Sequence, residues 1–135
     1  MTETFPTPDM EITNILVVSD FAASVAWYRD VLGADLQREY GGSSAVFSFN
    51  GAWLLIVTGG GPTDDKPTVR FETPADADRV SHAMTIRVAD CRASYALLET
   101  RGAAFLTPPV ESDWEVRAFF RDPDGHLFEI SQSKG

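Results

Sequence analysis

A stretch near the start of the chain recurs about 70 residues later, and this duplication restricts the fold more than any other feature. Ile15–Leu36 reads ILVVSDFAASVAWYRDVLGADL, and Thr85–Leu106 reads TIRVADCRASYALLETRGAAFL. Val18 falls on Val88, Asp20 on Asp90, Ala23 on Ala93 and Ser24 on Ser94. One residue out of phase, Gly33-Ala34 falls on Gly102-Ala103. Each copy leads from an alternating apolar strand to an aspartate, then through a segment of helical period to a glycine.

The local signals agree with that plan. Asp20 and Asp90 stand where an N-cap carboxylate accepts the free amide hydrogens of a first helical turn. Val25, Tyr28, Val31 and Leu32 form an apolar face on the first helix, and Tyr95, Leu97 and Leu98 a thinner one on the second. Gly33 and Gly102 suit the left-handed residue that follows a helix. Strand-like runs come next: Asp35–Tyr40, Ala45–Phe49 and Trp53–Val57 in the first copy, Ala104–Thr107, Glu115–Arg121 and His126–Ser131 in the second. Asn50-Gly51 and Asp122-Pro123-Asp124-Gly125 read as the hairpin turns between them. The expected fold is therefore α+β, with tandem βαβββ modules over residues 10–58 and 81–132 and a connection over 59–80. The three glycines of Gly59–Pro67 lack the full GxxxxGK[ST] pattern of a phosphate loop, so that segment reads as a flexible linker or lid.

Composition sets outer bounds. A chain of 135 residues, 44% hydrophobic with nine Phe, three Trp and three Tyr, has material for one well-filled domain. Its longest apolar stretches, such as Ala52–Thr58, are strand-length, far from the roughly 20 residues of a membrane helix. The polar leader Met1–Glu11 lacks the basic start and apolar run of a signal peptide. One cysteine, Cys91, excludes an intrachain disulfide and a Cys-based zinc cluster; it reads as a structural residue, with a cytoplasmic location as the default. A net charge of −9 argues against a nucleic-acid partner and fits solubility or the attraction of a cationic ligand.

Paired β-α-β-β-β units carrying Trp27–Gly33 (WYRDVLG) in the first helix and Arg121–Ile130 (RDPDGHLFEI) at the end resemble the glyoxalase / bleomycin resistance protein / extradiol dioxygenase superfamily, also called the vicinal oxygen chelate group. The resemblance spans residues 11–132. It implies two curved mixed sheets forming a cup, a small-molecule ligand inside, and frequent homodimers whose modules pair within a chain or across subunits. Its enzymes hold a divalent metal on His, Gln or Glu from the first and last strands of each module, and the metal acts as a Lewis acid.

Strand parity tests those positions, because alternate residues face opposite ways. Met84, Ile86 and Val88 belong under the helix, which turns Ala83, Thr85 and Arg87 toward the cup. The implied first-strand ligands fall on Ala83 and, in the first copy, Thr13, neither a good metal ligand. His82 is adjacent but out of phase and becomes a ligand only through a bulge. Glu129 matches the implied carboxylate, while its first-copy counterpart is Leu55. His126 falls in a turn and reads as a solvated residue. A divalent metal is thus a candidate cofactor that the ligand set does not favour. The same reasoning sends Phe47, Phe49, Trp53, Leu55 and Phe119 to the interior of the cup as ligand-stacking residues, with Arg87 and Arg117 among them and Trp114 on a loop over its mouth.

Two functions stand open. One is a metal-independent binder of a small organic molecule, similar to drug-sequestering resistance proteins, although the arginines argue against a bulky cationic drug. The other is a glyoxalase-like lyase or isomerase with Glu129 as metal ligand or general base. A ring-cleaving dioxygenase is disfavoured, because its iron takes two histidines and a carboxylate and the chain has only His82 and His126.

Overall fold

In the computed structural model, which describes residues 4–135, the duplicated segments form two half-units of the same plan. Met1–Glu3 of the polar leader lie outside the described residues. The first half-unit runs β1 (Thr13–Val18), α1 (Phe21–Asp30), β2 (Asp35–Tyr40), β3 (Ser44–Phe49) and β4 (Ala52–Thr58). The second runs β5 (Ala83–Arg87), α2 (Cys91–Thr100), β6 (Ala104–Phe105), β7 (Val110–Glu111), β8 (Glu115–Arg121) and β9 (Leu127–Ser133). Each half closes an open mixed sheet, in the orders β1-β4-β3-β2 and β5-β9-β8-β6, with β7 added along β8. β1 is parallel to β4 and β5 is parallel to β9, which is what a helical crossover after the first strand requires.

The residues flagged as helix and turn signals do that work. Asp20 accepts from Ala23 N at 3.1 Å and Asp90 from Ala93 N at 3.0 Å, so both helices begin on a capping carboxylate. Asn50 and Gly51 take φ of 44° and 90°, the left-handed pair that a two-residue hairpin turn needs. β7 was not foreseen: two residues of the loop between β6 and β8 pair with Val116 and Arg117, too short a run to leave a pattern in the sequence.

One core serves both halves. Leu16, Val18, Val25, Tyr28, Phe47, Leu54 and Ile56 of the first half are continuous with Val116, Ala118, Phe120, Phe128 and Ile130 of the second. Trp27 and Tyr28 of α1 lie 5.7 Å and 6.1 Å, ring to ring, from Phe128, while Phe120 stacks on Phe128 at 5.3 Å. On α2 the buried residues are Cys91 and Leu98, whereas Leu97 is 53% exposed and does not join the apolar face. Cys91 is fully enclosed, and burial pushes its thiol up, consistent with a packing residue.

The Asp122–Gly125 turn also joins the halves. Asp122 accepts from the amides of Asp124 and His126 and, at 2.7 Å, from the buried hydroxyl of Tyr28. Asp124 accepts from the amide and hydroxyl of Ser19. His126, expected in solvent, is half-buried with Nε2 2.7 Å from the Val17 carbonyl oxygen. The connection is likewise more structured than a free tether: Gly60 bridges Phe71, Lys66 caps the Gly61 and Val69 carbonyls, and Asp78 takes a 2.7 Å bond from Arg121. Gly59 permits the fold-back, since a Cβ there would sit 2.6 Å from the Phe71 oxygen.

Candidate functional site

The faces turned away from the shared core carry the residues of interest. On the second sheet, strand pairing aligns Thr85 of β5, Glu129 of β9 and Phe119 of β8 in one row. The next row holds Arg87, Ser131 and Arg117. Flanking Phe128 and Ile130 point into the core, so alternation directs Glu129 and Ser131 to the opposite side. β9 is an interior strand, and the side chains on its neighbours cover it there too. Glu129 is therefore only 8% exposed and Ser131 only 1%.

Burying a carboxylate costs several kcal/mol if it is left unpaired, roughly, and Glu129 has two partners. Thr85 donates to its Oε1 at 2.8 Å, and an Arg117 nitrogen stands 3.8 Å from Oε2. Arg117 is the same 3.8 Å from Glu115, and its guanidinium lies over the Phe119 ring at 5.4 Å. Arg87 donates to Ser131 Oγ at 3.1 Å. A cavity of about 210 Å³ opens beside Arg117, bounded by Glu115, Val110, Ser112 and Trp114. Trp114 is 77% exposed at its rim, and its backbone accepts the Lys134 amide.

On the first sheet the corresponding face is largely apolar across β1, β4 and β3, with Arg38 and Tyr40 of β2 at its edge beside Val46 and Ser44. Its rows are Thr13–Trp53–Ser48, Ile15–Leu55–Val46 and Val17–Val57–Ser44. The Trp53 indole N–H is bonded to the Glu11 carboxylate. Phe47 and Phe49, expected beside Trp53, lie on the other face. Phe47 pairs with Leu54, is fully buried, and packs 5.8 Å from the Tyr28 ring, while Phe49 packs against the same core. The expectation failed because parity within β3 does not say which of its faces matches which face of β4; the register does, and Phe47 faces Leu54, not Leu55.

The donor set does not suit the metal that the resemblance implied. Of the four positions, Thr13, Leu55 and Ala83 offer no ligand suited to a divalent ion and only Glu129 does. His82 precedes β5 and lines a separate cavity of about 260 Å³ with Glu72, Arg79 and His126, so it does not join Glu129. Among the described residues no three His, Cys, Asp or Glu side chains gather as a metal group.

Parity turned Ser131, like Glu129, away from the core, and the structure has it so; sequence reasoning missed its burial between the arginines, the hydrogen bond from Thr85 to Glu129, and the Tyr28–Asp122 bond. The Tyr28–Asp122 bond joins residues far apart in sequence and left no local signal.

Comparison with known proteins agrees with this architecture. Residues 11–130 match the model of the Glyoxalase/Bleomycin resistance protein/Dioxygenase superfamily. The metallothiol transferase FosB of Staphylococcus epidermidis is 32% identical over 117 residues, which cover 84% of this chain and 76% of that one. A glyoxalase/bleomycin resistance protein/dioxygenase from Nocardioides superposes with a TM-score of 0.74 at 24% identity, over 98% of this chain and 86% of that one. TnmS3, an antibiotic binding protein from Streptomyces sp. CB03234, does so with a TM-score of 0.66 at 23% identity, over 93% and 97%. The shared core, the duplicated crossover and the family match lead to one assignment: this chain belongs to the glyoxalase/bleomycin resistance protein/dioxygenase superfamily.

Proposed function

We propose that this protein binds a small organic molecule between an apolar and a polar concave face, and that it does so without the metal site of its enzymatic relatives. The observation that carries this reading is the donor set: Thr13, Ala83 and Leu55 stand where metal ligands belong, and Glu129 is alone. Trp53, Leu55, Trp114 and Phe119 supply apolar and stacking surface, and Arg87, Arg117 and Glu129 supply orientation. The fold is one that TnmS3 also has, a protein described as binding an antibiotic.

Exposed apolar residues on the first concave face, Ile15 at 49% among them, support a homodimer in which a second copy completes the cup. A lone enclosed cysteine supports a cytoplasmic location. No helix among the described residues is long and apolar enough to cross a membrane.

Metal analysis of the purified protein, combined with a tryptophan-fluorescence ligand screen, tests the reading. The expected result is ligand-dependent quenching that EDTA leaves unchanged. Stoichiometric zinc, manganese or nickel whose removal abolishes binding would overturn it.

One feature favours a second reading, a metal-dependent transferase, lyase or isomerase in which Glu129 is a ligand or general base. Glu129 is a buried acid within reach of the concave face, in a chain 32% identical to a metallothiol transferase. Glu129→Gln separates the two: turnover lost together with bound metal supports the enzyme, and ligand binding retained without metal supports the binder.

A further inference from the structure

We propose a second ligand site, on the core side of the sheets, that takes an uncharged planar aromatic molecule of one or two rings. It lies in the seam between α2 and β3, where the repeat of the half-units leaves a hollow, on the opposite side of the sheets from the concave faces.

The half-units meet along two seams that the repeat relates, and equivalent positions fill them differently. In the first seam, α1 of one half meets β8 and β9 of the other. There the Trp27 ring lies 5.7 Å from Phe128 and 6.2 Å from Phe120. The Tyr28 hydroxyl bonds to Asp122, and the His126 ring reaches the Val17 carbonyl. In the second seam the repeat puts Leu97 in the place of Trp27 and Leu98 in that of Tyr28. The matching strand ladders put Phe49 in the place of Asp122 and Ala52 in that of His126. An indole becomes an isobutyl group and an imidazole becomes a methyl group. Phe49 offsets part of that lost volume and not all of it.

Two adjoining cavities result, of about 220 and 150 Å³, which share Leu32, Phe49 and Ile86. Ala52 lines the larger one, and Val88 and Leu97 line the smaller. The hollow is visible in the strands beneath the seams. Leu16 and Val18 of β1 are each 1% exposed, while their counterparts Ile86 and Val88 of β5 are only half-buried. Close packing elsewhere in a core leaves few voids of this size.

The lining sets the chemistry of the occupant. Among the described residues no charged side chain borders either cavity, and the polar residues there are Asn14, Thr85 and Ser94. An ionised ligand would lose its hydration with no partner in return. An apolar cavity of about 150 Å³ lined by Leu, Ile and Phe stays dry and takes up benzene. The smaller cavity therefore admits one ring and the pair together a fused two-ring system. Such a ring has the Phe49 ring to pack against, as Trp27 has Phe120 and Phe128 in the first seam.

The experiment titrates the full chain with indole and reads amide and methyl NMR shifts together with calorimetry. Saturable shifts centred on Leu32, Phe49, Ile86, Val88 and Leu97 are expected. Leu97→Trp places the counterpart ring in the hollow and should weaken indole binding roughly tenfold or more, since ring and ligand compete for one apolar space. Ala52→Leu fills the larger cavity from an exposed position and should act in the same direction, so the test does not hang on one variant folding. Leu106→Trp, at a position 48% exposed and outside both cavities, should bind indole as the unaltered chain does. No saturable shift at the seam residues, or unchanged binding in both filling variants, overturns the site. Shifts confined to Trp53, Leu55 and Phe119 also overturn it, while leaving the concave-face reading in place.

Discussion

On the first sheet, Ile15, Leu55 and Val46 stand side by side across three strands; at the corresponding place on the second stand Thr85, Glu129 and Phe119. One row further, Val17, Val57 and Ser44 correspond to Arg87, Ser131 and Arg117. The backbone ladders match pair for pair, yet these rows are apolar but for Ser44 on the first sheet, whose one cation, Arg38, stands at the edge on β2, and on the second they hold two cations and a buried acid. The opposite faces tell a different story. There Leu16, Phe47, Leu54 and Ile56 have Ile86, Phe120, Phe128 and Ile130 as counterparts, apolar in both halves. Duplication preserved what the shared core needs and left the outer faces free to diverge, because packing density constrains the one and not the other.

That contrast can be broken most directly at the core. Phe47→Ala and Phe120→Ala should each cost about 3–5 kcal/mol in urea unfolding, since both rings are fully buried. A cost below about 1 kcal/mol at Phe47 would return that ring to the ligand face.

Exchanging the chemistry of the concave faces comes next. Leu55→Glu buries half a carboxylate with no partner and should destabilise by about 1–3 kcal/mol. Glu129→Leu should leave stability within about 1 kcal/mol, because replacing a buried ion by an apolar side chain is often neutral. Thermal or chemical denaturation of the pair measures the asymmetry, and equal losses would mean that the two faces are not chemically distinct.

The joint between the halves gives a smaller effect with a pH signature. Tyr28→Phe removes the only side-chain donor to Asp122 among the described residues and should cost about 1.5–3 kcal/mol at neutral pH. Burial raises the Asp122 carboxyl above its ordinary range, against the lowering influence of Tyr28 and of His126 and Asp124. A raised carboxyl favours its protonated form in the fold, so its contribution is full at acid pH and declines as pH rises through the raised value. Asp122→Asn, which stays neutral, should gain on the unaltered chain between acid and neutral pH. Parallel stability curves over that range would contradict the shift.

The smallest effect tests likeness. Asp20→Ala and Asp90→Ala remove equivalent caps and should each cost about 1 kcal/mol. Unequal losses, read by denaturation midpoint at constant slope, would show that one helix leans on its half-unit more than the other.

The pattern of residues made some of this legible. Two aspartate caps, two glycines and two alternating runs named the half-unit and its repetition, and strand parity after the DPDG turn put Glu129 on the face opposite Phe128 and Ile130. These are local features, readable because a helix end or a strand period needs only a few neighbours. Phe47, His126 and Leu97 were misplaced because each depended on what lay across from it: β4 for the phenylalanine, the Val17 carbonyl for the histidine, and solvent for the leucine.

The sequence alone therefore determined that two βαβββ copies exist and which side of the last strand carries its acid, since period and capping are short-range properties. Only the tertiary structure decided that one core spans both copies, that Tyr28 of the first closes onto Asp122 of the second, and that Arg87 and Arg117 come to flank Ser131. Those relations depend on strand order and register between segments far apart in the chain, which no local pattern encodes.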